Sequence, residues 1–227
     1  MAPSDISTAT ARNLVCDLHD HHGLPPLAAD EFVLDTPFVR TFVATVRERI
    51  DRSASAADAC EVMRPVFEEA LTERDWLPPA FQRDVPDSGM GGGIGQWLLF
   101  RSADRSLCLF SLVVPSGSMT PIHDHLAWGL VGLYAGTQDE EFYVPGDGAI
   151  ELARRRPLVP GDYYVLVPPT DDVHRIRTTS AETSVSIHLL ASDTGCVERH
   201  TFDEHTGAAR LFRSGYANAE CEASGVR

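Results

Sequence analysis

The chain contains no lysine, so all 19 of its basic residues are arginine. That excludes a pyridoxal Schiff base, a P-loop lysine and any other chemistry built on a titratable side-chain amine. Positive charge is scarce altogether: 33 acidic residues face 19 basic ones, for a net charge of −14. Such a field repels phosphate backbones and anionic lipid, so neither nucleic acid nor a membrane is expected as a partner. No apolar run approaches the about 18 residues of a membrane span. The opening residues MAPSDISTATARNLV carry no uninterrupted apolar stretch of the secretory kind, and the expected location is cytoplasmic. The five cysteines, Cys16, Cys60, Cys108, Cys196 and Cys221, are scattered and form no C-x-x-C pair, which predicts reduced thiols.

What is present divides into two textures. Over residues 1–85 apolar side chains recur at helical intervals, Phe38, Phe42 and Val46, then Val62, Val66 and Ala70. Two helices are predicted, with a break near Ser53-Ala54-Ser55, forming an extension packed on the main body. From 94 to 214 the pattern becomes short β-rich runs separated by Gly and Pro: QWLLF, LCLFSLVV, WGLVGLY, EEFYV, YYVLV, HRIRTT, SVSIHLL and RHTF. About eight strands at this spacing predict a sandwich or barrel. Residues 86–93 read as a connection, 215–227 as a disordered tail, and Arg154-Arg155-Arg156 as a solvated turn.

The chemistry concentrates in Gly117-Ser-Met-Thr-Pro-Ile-His123-Asp124-His125, followed by Pro160-Gly161-Asp162 and later by His174. On a strand, residues two apart share a face, so His123 and His125 point together while Asp124 points away. Two imidazoles on an inward face make a metal chelate, and His174, on a second strand, is placed to be the third ligand. A similar cluster, His19-Asp20-His21-His22, has no strand around it and is assigned to solvent. Three neutral imidazoles would leave a bound cation its full charge, which attracts an anionic thiolate. Fe(II) best combines imidazole ligation with dioxygen chemistry, while Ni, Co, Mn and Zn also suit such ligands.

The order G-x5-H-x-H, then P-G-D and a later His, resembles the cupins, which implies a mainly β fold: a double-stranded β-helix, or jelly-roll barrel, here with N-terminal helices. Many cupins carry a glutamate four residues after the second His; position 129 here is glycine. With that departure the stretch from about Gln96 to Gly207 resembles the bacterial thiol dioxygenases, cysteine dioxygenase and above all 3-mercaptopropionate dioxygenase. The matching segments are TPIHDH, WGLVG, VHRI, VSIHL, GCVERH and the D-x-x-T-G at Asp203. The resemblance implies a mononuclear non-haem iron oxidoreductase with His123, His125 and His174 as ligands. It makes Gln96 the mark of the mercaptopropionate-type branch and Arg199 the anchor of a substrate carboxylate through two parallel hydrogen bonds.

Arg101 is a reserve anchor, and Trp128 is expected against the pocket or core. Family members also carry a Ser, His, Tyr relay at alternate positions of one strand; Ser186 and His188 are kept here, but Leu190 replaces the tyrosine. No cysteine closely follows the H-x-H, so a Cys–Tyr crosslink is not expected, and Cys108 reads as core filling. The expected reaction oxidises the sulfur of a small carboxylate-bearing thiol with dioxygen to a sulfinate, in a monomer or homodimer. Two alternatives stay open: a diverged cysteine oxidase of a specialised biosynthetic pathway with another sulfur product, and a non-catalytic cupin that binds a metal or small ligand.

Overall fold

Thr36 and Ser55 start the two helices. In the computed structural model, which describes residues 23–86, 89–146 and 149–221, the Thr36 hydroxyl accepts the Val39 N–H and the Ser55 hydroxyl accepts that of Asp58. Each cap satisfies a donor that the first helical turn leaves free, worth about 1 kcal/mol. The helices are α1 (Pro37–Ile50) and α2 (Ala56–Thr72). Val39, Phe42, Val43, Val46 and Ile50 bury one stripe of α1, and Ala59, Cys60, Met63, Phe67 and Leu71 one stripe of α2.

Twelve strands follow the expected β texture and add to it: β1 (Glu31–Phe32), β2 (Gly95–Arg101), β3 (Cys108–Val114), β4 (Ile122–His123), β5 (Gly129–Ala135), β6 (Gln138–Gly146), β7 (Ala149–Leu158), β8 (Tyr163–Leu166), β9 (His174–Thr178), β10 (Ser184–Leu190), β11 (Arg199–Phe202) and β12 (Ala209–Phe212). They form two six-stranded antiparallel sheets, ordered β1-β2-β3-β10-β5-β8 and β12-β11-β4-β9-β6-β7. The fold is mainly β, as expected, with two antiparallel sheets that enclose a common interior in the manner of a double-stranded β-helix.

Cys108, Phe110, Leu112, Val131, Leu133, Phe142, Ile176 and Leu190 fill that interior. The alternate residues of the first sheet, Leu109, Val113, Leu130, Val185, Ile187 and Leu189, face outward and are covered by α1 and α2. Sandwiching the sheet between barrel and helices buries β3 and β10 along their whole length. This explains why LCLFSLVV and SVSIHLL read as nearly continuous apolar runs rather than strict alternations. Gly132 is required at the helix contact: a Cβ there would lie 2.5 Å from Leu71 Cδ1 and 2.8 Å from the Tyr163 Cβ.

Three expectations need correction. Arg154-Arg155-Arg156 lies within β7, the outer strand of the second sheet, rather than in a turn. An edge strand with one exposed face has no apolar alternation to announce it, and charge on it discourages pairing with other chains. Residues 215–221 are not free of the body but run back along it, and residues 222–227 lie outside the described residues. Cys196 and Cys221 are joined in a disulfide with Cα atoms 5.0 Å apart, so the prediction of reduced thiols fails for that pair. Cys60 and Cys108 are buried and take no part in that disulfide, whereas Cys16 and the His19–His22 cluster fall outside the described residues. No helix among the described residues is long and apolar enough to cross a membrane.

Candidate metal centre

His123 on β4 and His174 on β9 stand directly opposite each other across the antiparallel pair. His125 lies just past the end of β4, where the chain turns through Leu126 at φ +54°. The Asp172 carboxylate holds that turn, accepting the backbone N–H of His125 at 2.8 Å and that of Leu126 at 3.3 Å. The three rings come together with centroids 4.7–5.1 Å apart and one nitrogen from each within 4.8 Å of the others. Their side chains are buried, at 0–4% exposure.

The fold engages the Nδ1 atoms of two of the three rings. His123 Nδ1 sits 2.9 Å from the Pro121 carbonyl, and His174 Nδ1 is 2.9 Å from Glu140 Oε2 and 3.0 Å from the Tyr164 hydroxyl. His125 Nδ1 lies 3.7 Å from Asp172 Oδ1, beyond hydrogen-bond length. His174 Nε2, which faces its two companions, is buried with no hydrogen-bond partner. Burial, with the charges of neighbouring rings and of Arg199 added, pushes His123 and His125 well below the usual imidazole range. Neutral, crowded imidazoles with an orphaned inward nitrogen are what a divalent cation would satisfy, so the residues fit a metal ion. Asp124 points away, as its place between the two ligands requires, and takes the backbone N–H and Nδ1 of His200.

The glycine at 129 has a geometric cause. It pairs with Leu190 across β5 and β10, and any Cβ built on it would run into the Leu189 carbonyl and lie 2.9 Å from Leu190 Cδ2. A glutamate ligand at this place is therefore excluded by the close approach of two backbones, and Leu190 fills the interior beside it.

Register places other expected residues. Gln96, Leu112 and Ser186 form one row across the first sheet; Leu98, Phe110, His188 and Val131 form the next. The Ser186 hydroxyl is 2.9 Å from His188 Nε2, and the His188 ring stacks on Phe110 with centroids 4.6 Å apart. Burial, reinforced by His125, His174 and Arg199, holds His188 well below the usual imidazole range. Its Nδ1 is buried without a partner, as is Gln96 Nε2. The His188 and His125 ring centroids lie 6.2 Å apart. Arg199 is buried and donates to the Thr194 carbonyl, the Asp124 carbonyl and the Ser214 hydroxyl, at 3.2, 2.6 and 2.8 Å. Two of its five N–H groups remain uncommitted.

Other expectations change role. Arg101 is committed away from the anchor role held in reserve for it: it pairs with the carboxylates of Glu31 at 2.7 Å and Asp193 at 3.3 Å and donates to the Glu220 carbonyl at 2.9 Å. Of the two places expected for Trp128, pocket or core, it takes the core: it packs in the cluster under the helices. Cys108 belongs to the interior, where burial raises its thiol to about 11.

Residues 214–221 form a strap beside this region. The Gly215 N–H reaches the Gly195 carbonyl and that of Ala217 reaches the Gln96 carbonyl. The Asn218 side chain bonds both the N–H and the carbonyl of Leu98, and the Tyr216 hydroxyl donates to Asp193 at 2.8 Å. Arg105, fully buried, pairs with Asp193 and donates to the Cys221 carbonyl at 3.1 Å.

Sequence reasoning did not find Glu140, Asp172 or the strap. Alternation along Gln138-Asp139-Glu140-Glu141-Phe142 was available as a signal, but both of its faces are polar, so it could not say which one points inward.

No family model matches the chain. Among solved structures, an uncharacterized conserved protein with a double-stranded β-helix domain from Klebsiella pneumoniae is similar over 61% of this chain and 96% of its own, with 13% identity and a TM-score of 0.39. A cupin 2 conserved barrel domain protein from Salinispora arenicola is similar over 52% of this chain and 87% of its own, at 16% identity and a TM-score of 0.36. A formate complex of Lactobacillus farciminis oxalate decarboxylase matches 40% of this chain at 16% identity and a TM-score of 0.33, and the match spans only 25% of that protein.

Proposed function

We propose that the chain is a mononuclear metal-dependent thiol oxygenase, acting on a small thiol that also bears a carboxylate, such as 3-mercaptopropionate or cysteine. The observation that carries this reading is the buried trio His123, His125 and His174 with the buried Arg199 guanidinium bonded to the carbonyl of Asp124, the residue between two of them. A dipositive ion on three neutral ligands, with a guanidinium nearby, favours a ligand that brings a thiolate and a carboxylate together. Iron(II), when bound there, supplies open coordination positions and the one-electron chemistry that dioxygen needs. The overall change, RSH + O2 to RSO2H, transfers both oxygen atoms to sulfur and needs no external reductant.

The chain's own residues bind and orient. Arg199 offers its two uncommitted N–H groups to the carboxylate, and Gln96 Nε2, buried without a partner, is a second donor. His188, oriented by Ser186 and clamped on Phe110, presents an unpartnered Nδ1 as a further hydrogen-bonding atom. Apolar Leu190, Leu112 and Val131 exclude water.

Leu190 in the relay position supports a second reading, in which the sulfur product differs or the site only binds its ligand, because leucine has no proton to transfer. An oxygen electrode on the iron-loaded protein, with cysteine, 3-mercaptopropionate, cysteamine and homocysteine offered in turn, separates these. Oxygen uptake dependent on a carboxylate-bearing thiol, with a product heavier by two oxygen atoms, is the expected result. Uptake with another product mass supports a diverged oxidase; no thiol-dependent uptake overturns the oxygenase reading in favour of a binding protein.

A further inference from the structure

Glu140 is fully buried in the barrel, on the inward face of β6, and no arginine among the described residues pairs with it. Its Oε2 lies 2.9 Å from His174 Nδ1, and its Oε1 accepts from Gln138 Nε2 at 2.9 Å. A carboxylate removed from water needs both hydrogen bonds and a counter-charge. The hydrogen bonds are present. The His174 ring that Glu140 touches has its other nitrogen, Nε2, buried with no hydrogen-bond partner, in the cluster with His123 and His125.

We propose that Glu140 is the positioning residue of the metal centre: its Oε2 accepts a hydrogen bond from His174 Nδ1 and so turns Nε2 towards the other two histidines. This rests on the reading of the trio as a metal site. Glu140 is not a ligand, because it sits behind the ring, on the side opposite the orphan nitrogen. The chain thus combines three neutral ligands with a carboxylate one bond network away. The place where a carboxylate could have reached the ion directly, 129, is closed by the backbone of β10. A hydrogen-bonded carboxylate fixes the tautomer of the ring and makes its free nitrogen a better donor. Tyr164 has a lesser part: its hydroxyl touches the same Nδ1 at 3.0 Å but brings no charge.

The mere holding of β6 against β9 would give Glu140 a purely structural value, so the test must read the ion itself. Co(II) is the probe, added to the metal-free full chain, with affinity measured by chelator competition and geometry by visible absorption. Glu140→Leu is expected to weaken Co(II) binding about 10- to 100-fold. Glu140→Gln, which keeps an acceptor but loses the charge, falls between Leu and wild type and shifts the Co(II) absorption bands. Tyr164→Phe stays within about threefold of wild type, since it removes only a neutral partner. Wild-type affinity and spectrum in both Glu140 variants, even with lowered thermal stability, overturn the proposal, and so does a wild-type chain that binds no Co(II). No thiol enters the experiment, so a protein that fails to oxidise thiols but shows this order of affinities loses the oxygenase reading and keeps the role of Glu140.

Discussion

Gly129 meets the carbonyl of Leu189 backbone to backbone, leaving no volume for a side chain where β5 crosses β10. Replacement by glutamate would therefore not create a fourth ligand. Gly129→Glu is expected to unfold the barrel or leave it insoluble, and even Gly129→Ala should cost about 3 kcal/mol or more through overpacking. Urea denaturation of the alanine variant checks this; wild-type stability would mean that the two strands are not in contact.

The ligand trio predicts two different outcomes for two alanine substitutions. His123→Ala should lower metal retention by more than about 100-fold with a modest change in stability. His174→Ala should do the same and in addition cost about 1–3 kcal/mol, because it leaves Glu140 Oε2 buried without the Nδ1 hydrogen bond. Metal content after gel filtration, together with denaturant midpoints of the metal-free proteins, distinguishes them. Full metal retention in either variant contradicts the ligand assignment.

Burial holds His123, His125 and His188 well below the usual imidazole range, which makes the metal-free protein acid-sensitive. As pH falls through about 6.5 the unfolded chain takes up protons at these positions while the folded chain does not, so folding stability decreases with decreasing pH. Above that range the three contribute no pH dependence. Each contributes a slope approaching about 1.4 kcal/mol per pH unit below it. Chemical denaturation at pH 7.5, 6.5 and 5.5 in the presence of a chelator tests the direction; equal stability at all three values contradicts it.

The Cys196–Cys221 disulfide closes a loop with a sequence separation of 25 residues and ties down the strap that contacts Gln96 and Arg199. Cys221→Ser should destabilise the protein by about 3 kcal/mol. It should also raise hydrogen exchange at the amides of Gly215 and Ala217, which bond to Gly195 and Gln96. Unchanged exchange in the variant would show that side-chain contacts of Tyr216 and Asn218 hold the strap by themselves.

Much of the fold was legible because its signals are local. The helical spacing of Phe38, Phe42 and Val46, the break before the Ser55 cap and the apolar runs that became β2, β3, β5 and β10 all follow from what each segment must bury. Strand β7 was not legible, since exposed arginines at an edge carry no burial pattern. Arg101 and Arg199 looked alike as potential anchors; only their partners tell them apart, since Arg101 is held by the carboxylates of Glu31 and Asp193 whereas Arg199 donates to two carbonyls and a hydroxyl.

The amino-acid order alone determined that two histidines share a face at a strand end and that a third stands on a later β segment, because period-two geometry acts over a few residues. Three dimensions decided which of the adjacent Glu140 and Glu141 enters the barrel, that Cys221 returns to Cys196, and that Trp128 belongs to the helix-covered face. Those outcomes depend on contacts between segments distant in the chain, whose desolvation and pairing energies exist only once the sheets have closed.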